Sequence, residues 1–150
     1  MWHRRVPWRN TWGEPLVGDY RSTNRKVIRK HARWLSQAGV DFIFVDWSNN
    51  VNYDPDGDPG NSPHAFIERA TRVVFEEFAD MEQAPRICIM LGVTGKPKAA
   101  TDGRLQRKAD QVYETYVSSD EYRPLLQEYR GKPLLMVYAA TPSNWQTGLP

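Results

Sequence analysis

The sequence predicts an α/β fold built around a parallel sheet. Three observations carry that expectation. Helix-like and strand-like stretches alternate in the order helix, strand, helix, strand, helix, strand. The three strand-like runs, Val40–Val45, Arg86–Leu91 and Leu134–Tyr138, are short and largely apolar. The segments between them carry apolar residues at helical spacing and are long enough for crossover helices. Two architectures share this pattern, a (β/α)8 barrel and an open doubly wound sheet. In both, ligands meet the carboxyl ends of the strands.

Each element has a local reason. Residues 1–21 are rich in Trp, Arg, Pro and Gly and are read as irregular. Ser22 or Thr23 can cap a first helix, whose apolar face is Val27, Ile28, His31, Trp34, Leu35 and Ala38, with Gly39 at its C′ position. The other face carries Arg25, Lys26, Arg29, Lys30 and Arg33 and is expected to be solvated. VDFIFV, Val40 to Val45, does not alternate strictly, the mark of a strand covered on both sides. After a loop of turn residues, Ser62-Pro63 starts a second helix with the stripe Phe66, Ile67, Ala70, Val73, Val74, Phe78 and Met81. The loop GVTGKPKAATDG follows the second strand and leads to a third helix, about Arg104 to Val117, with Ala109, Val112, Tyr113 and Tyr116 inward. A short helical piece is expected over Asp120–Tyr129, closed by Gly131, before the last strand. The tail AATPSNWQTGLP reads as loop, and no internal repeat or low-complexity segment is evident.

At 150 residues the chain suits a single domain with a real core. A barrel takes about 250 residues. If the fold is a barrel, this chain holds part of it. Twenty basic and 18 acidic residues leave a net charge of +2, too balanced to imply nucleic acid or an anionic membrane. No apolar run is long enough for a membrane span. The opening MWHRRVPWRNTW has charge but no apolar centre, so no signal peptide is expected, and the compartment is left unassigned. Cys88 is the only cysteine and reads as a small core residue. Trp2, Trp8, Trp12 and Trp145 fall in irregular segments, where an indole packs either under a loop or against a flat ligand face.

Several motifs fail on inspection. Asn52-Tyr-Asp54-Pro-Asp56-Gly57-Asp58 starts like a calcium loop, but the twelfth position is Pro63 where glutamate is required. It reads as an acidic turn. Gly92-Val-Thr-Gly95-Lys96 has two residues between its glycines instead of four, and Pro97 replaces the hydroxyl residue, so it is no phosphate loop. No dinucleotide fingerprint and no G-x-S-x-G elbow occurs. His3, His31 and His64 have no metal-ligand spacing. Neither a cofactor nor a metal is expected.

The informative stretch is the carboxyl end of the first strand, Asp46-Trp-Ser-Asn-Asn50. Sugar sites need flat aromatic faces and side chains that both donate and accept hydrogen bonds. Asp46, Trp47, Asn49 and Asn50 supply these within one turn, with Asp19 and Tyr20 ahead of the first helix and Tyr138 at the end of the last strand. The plainer alternative is that Asp46 caps the next turn and Trp47 simply packs.

GDYRSTNRKVIRKHARWLSQAGVDFIFVDWSNN resembles the early part of glycoside hydrolase family 99, the endo-α-mannosidase and endo-mannanase group, with family 71 α-1,3-glucanases as relatives. Gly18 to Ser22, Val27-Ile28 with His31 and Trp34, Ala38-Gly39, and Asp46-Trp47 carry the likeness, together with GKPLLMVY, Gly131 to Tyr138. The resemblance implies a (β/α)8 TIM-type barrel, of which this chain holds about half as its N-terminal portion. It also implies an α-linked glycan such as α-mannan as substrate. Trp47 would wall a sugar subsite, and Tyr20, Asn49, Asn50 and Tyr138 would line the cleft. The family's second tryptophan after Trp47 is Ser48 here, and its catalytic carboxylates lie on later strands, so no catalytic residue is assigned. The alternative is a non-catalytic carbohydrate-binding or scaffold half-barrel. Self-association is expected if the barrel is incomplete.

Overall fold

The structure, a computed structural model, describes residues 15–51, 63–93 and 97–139. The acidic turn after Asn52, Gly95-Lys96 and the four terminal tryptophans lie outside those residues. Helix α1 (Arg25–Gln37) leads to strand β1 (Phe42–Trp47), α2 (Pro63–Ala79), β2 (Arg86–Gly92) and α3 (Arg104–Val112). A short 310 turn, Pro97–Ala100, precedes α3. A π-helical turn, Tyr113–Val117, continues α3. A 310 turn, Arg123–Leu125, precedes a two-stranded hairpin of β3 (Glu128–Tyr129) and β4 (Lys132–Pro133), and β5 (Leu135–Tyr138) follows.

The main sheet has the order β1-β2-β5, and both of its strand pairs are parallel. Its register pairs Ile43 with Ile87, Trp47 with Leu91, and Gly92 with Tyr138. Because successive strand side chains alternate between faces, Ile43, Val45 and Trp47 share one face with Ile87, Ile89 and Leu91. All six join a core that also takes Ile28 and Ala32 from α1, Phe75 and Phe78 from α2, and Val112 and Tyr116 from the third helical segment. The helices therefore cover a single face. A doubly wound sheet would spread them over two faces and reverse its strand order.

This corrects the expectation of a strand covered on both sides. Phe42, Phe44 and Asp46 occupy the other face of β1, where Phe44 is 47% exposed and packs edge-on against Phe42. Met90, Met136 and Tyr138 continue that face on β2 and β5. β1 also begins and ends two residues later than expected, so Asp46 and Trp47 belong to the strand itself.

Other boundaries shift for local reasons. Asn24 caps α1, its side chain accepting from the Val27 amide at 3.3 Å, in place of Ser22 or Thr23. Phe75 and Thr71, outside the expected α2 stripe, are buried. The third helix widens at its end, where the Ser118 amide bonds the Tyr113 carbonyl five residues back at 2.9 Å. Asp120–Tyr129 is not one helical piece. After a brief 310 turn, Leu126 is extended and bridges to Ile87. Gly131, at φ 74°, then serves the hairpin turn beside Arg130, itself at φ 51°, rather than closing a helix.

The basic face of α1 is only partly solvated. Arg25 binds Glu76 and Glu77, and Arg29 binds Glu77 and Asp80, clamping α1 to α2. Glu77 is 2% exposed, so burial pushes its carboxyl upward. The hydrogen bonds from Arg25 and Arg29 outweigh this and hold it below the ordinary glutamate range. A lowered native pKa adds stability above the unfolded value, near 4.3, and loses it as pH falls through the native value. Glu77→Gln is expected to lower the denaturation midpoint at pH 7. The gap from the parent should close as pH falls below about 4, as read by urea titrations at several pH values.

Candidate functional site

The carboxyl end of the sheet gathers Asp46 and Trp47 of β1 with the turn Ser48, Asn49 and Asn50 that follows it, Gly92 of β2 with Val93 after it, and Tyr138 of β5. Gly92 sits at the middle, directly beside Ser48. A Cβ added there would lie 2.7 Å from Ser48 Cβ and 2.8 Å from its Cα, so only glycine allows this approach. Ser48, itself 8% exposed, therefore packs over Gly92, which pairs with Tyr138, while Asp46 lies level with Met90. Asp46 is exposed, and its Oδ1 accepts the Ser48 amide at 2.7 Å. Tyr138 is 49% exposed and leaves ring surface open on the same face. Asn49 is exposed beside them.

Trp47 does not fit the role of a sugar wall. Strand alternation turns it to the helix side, where it is 1% exposed. Its indole Nε1 donates to Thr71 Oγ1 at 2.8 Å, and that hydroxyl donates to the Ile67 carbonyl at 2.9 Å. Its ring meets Tyr116 edge-on, with centroids 6.3 Å apart. Both local parts of the plainer alternative hold: Asp46 caps the turn and Trp47 packs. Tyr20 joins the flank of α1, edge-on to His31, which stacks on Trp34. Asp19 beside Tyr20 is exposed.

Asn50 is fully buried and opens a polar cluster that sequence reasoning missed. Its Nδ2 donates to Glu68 Oε1 at 2.5 Å. Lys108 Nζ donates to the same oxygen at 2.7 Å and to Gln111 Oε1 at 2.8 Å. Gln111 Nε2 donates to Glu68 Oε2 at 2.7 Å. The Glu68 carboxylate is thus held from α3 and from the end of β1 at once. Asn50 Oδ1 is buried and has no partner among the described residues. A signal for the cluster did exist. Ala65, Thr71, Phe75 and Phe78 mark the buried line of α2, and Glu68 falls on it at helical spacing. A glutamate on a core line calls for a buried partner.

The chemistry open to this site is hydrogen bonding and ring contact. On the outer sheet face, Asp46 is the sole carboxylate among the described strand residues. Cys88 is buried, its thiol pushed up by that burial and donating to the Leu134 carbonyl at 3.3 Å, so it is a poor nucleophile. No group of His, Cys, Asp and Glu suited to a metal occurs among the described residues.

Trp47→Ala is expected to destabilise the fold by about 3–5 kcal/mol, read as a loss in denaturation free energy. Lys108→Met leaves the largely buried Glu68 carboxylate short of a donor and should cost about 3 kcal/mol. The pair Lys108→Met with Glu68→Met should recover much of that loss in a double-mutant cycle.

Compared with known proteins, the chain matches no family model, no curated protein and no solved structure.

Proposed function

We propose that this chain is the N-terminal part of a (β/α)-barrel protein of glycoside-hydrolase type that acts on an α-linked glycan such as α-mannan. One observation carries the reading. Among the described residues, parallel strands run in sequential order with every helix on one face, and on the opposite face Asp46 and Tyr138 stand exposed at the strand ends. Sequential order with one-sided helices is the arrangement of a barrel arc, whose inner face and carboxyl-end loops receive ligands. In this reading the Tyr138 ring takes the stacking role once expected of Trp47. The Asp46 carboxylate and the Asn49 amide meet sugar hydroxyls. Asn50 is held back by Glu68 as support for the strand end.

These residues bind sugar in this reading and do not cleave it alone. Glycoside hydrolysis uses two carboxyl groups that flank the scissile bond. The second reading, a non-catalytic carbohydrate-binding half-barrel, is favoured by the single carboxylate on this face among the described residues.

Calorimetry against oligosaccharides of α-mannan and α-1,3-glucan, run together with an assay for released products, tests both readings. Binding is expected. Asp46→Asn and Tyr138→Ala should each weaken it about tenfold, or about 1.4 kcal/mol, without moving the thermal midpoint. Product release would favour the hydrolase, and binding without release the half-barrel. Absence of binding to every glycan would overturn the proposal.

A further inference from the structure

The polar cluster between the end of β1 and helices α2 and α3 has a fixed direction. The Lys108 ammonium can only donate, and the Glu68 carboxylate can only accept. The amides that touch them are therefore oriented by chemistry. Gln111 turns its oxygen to Lys108 and its nitrogen to Glu68. Asn50 turns Nδ2 to Glu68 Oε1, the oxygen that Lys108 also holds. Reversing the Asn50 amide would set its oxygen against the carboxylate, so Asn50 Oδ1 has to face away from Glu68. It is an acceptor on a residue that is 0% exposed, and no group among the described residues donates to it. A buried acceptor without a donor loses its hydration and gains nothing in return. Protein interiors satisfy such atoms.

We propose that Asn50 Oδ1 anchors a binding site for one internal water molecule, which donates to it and joins the Glu68 cluster to the main chain of the turn after β1. Charge excludes a cation. Lys108 Nζ already lies on the shared Glu68 oxygen, and a second cation would meet it in a largely buried place. Burial excludes a larger solute. Ser48, Asn50 and Val51 are all buried, and Val51 packs with Val93 and Ala99 in a small apolar cluster. A neutral donor of the smallest size remains. The turn supplies its other partners, since an internal water makes about three hydrogen bonds. β1 ends at Trp47, so the main-chain groups of residues 48–51 lie outside the sheet ladder. The Asn50 amide donates to the Trp47 carbonyl at 2.9 Å, which holds the residue in place beneath the turn. The proposal holds whether or not a glycan binds the outer face.

Nuclear magnetic resonance on the whole chain tests it by two routes. In rotating-frame spectra, the Asn50 side-chain amide protons are expected to show a cross-peak to water with the sign of a lasting dipolar contact, opposite to that of proton exchange. Oxygen-17 relaxation dispersion counts long-lived waters and is blind to proton exchange with the Lys108 ammonium. Its amplitude should fall by one water in Asn50→Leu, which keeps the side-chain volume and removes the acceptor. Circular dichroism checks that this variant is folded. A parent without a lasting water contact at the Asn50 amide would overturn the proposal. So would an unchanged dispersion amplitude in folded Asn50→Leu. If that variant does not fold, the cross-peak of the parent decides by itself.

Discussion

The helix side of the sheet converges on the contact between Phe75 and Tyr116, whose rings stack with centroids 4.1 Å apart. Phe75 comes from α2, which joins β1 to β2. Tyr116 comes from the π-turn on the way from β2 to β5. One stacked pair therefore ties both crossovers together, and Trp47 of β1 meets Tyr116 edge-on. Tyr122 closes the group against Phe75 at 5.6 Å. Burial pushes the Tyr116 hydroxyl far above its ordinary titration range, so the ring stays neutral in its place. Aromatic pairs contribute beyond the area they remove from water. The orientation of Trp47, and with it the facing of Asp46, depends on this cluster.

Two carboxylates, buried Glu77 and largely buried Glu68, brace the core by different means. Glu77 is held by two arginines that remain substantially in water, so the cations keep their hydration while the acid loses its own. Glu68 is held by a buried lysine and two amides, a set taken almost wholly out of water. The first clamps α1 to α2. The second locks the end of β1 to α2 and α3. Buried ion pairs add little net stability against an apolar replacement, yet they penalise every arrangement that separates them. Here that penalty falls on movement of the strand end that presents Asp46 and Asn49.

Much of the fold was legible in the sequence because burial imposes periodicity. Ile87, Cys88, Ile89 and Leu91 formed an unmistakable strand, and Ser62-Pro63 placed the start of α2 within a residue. The misses have separate causes. The expected strand stops at Val45 because Asp46 is polar, but an acid on the uncovered face does not end a strand, and β1 runs on through Trp47. The expected α2 stripe omits Phe75 and Thr71 because Phe66, Ile67 and Ala70 lie on a neighbouring line of the helix, while the buried line runs through Thr71, Phe75 and Phe78. Leu126 fell inside a helical pattern whose local spacing was adequate, while its pairing with Ile87 lies far away in the chain.

The sequence by itself determined the alternation of helices and parallel strands and the polar end of β1, since each rests on local spacing. Only the tertiary structure decided that every described helix lies on one face, that Trp47 turns inward while Asp46 and Tyr138 turn outward, and that Glu68, Lys108, Gln111 and Asn50 meet. Side-chain facing follows from strand register, and contacts between distant segments follow from packing. Neither is written in the spacing of neighbouring residues.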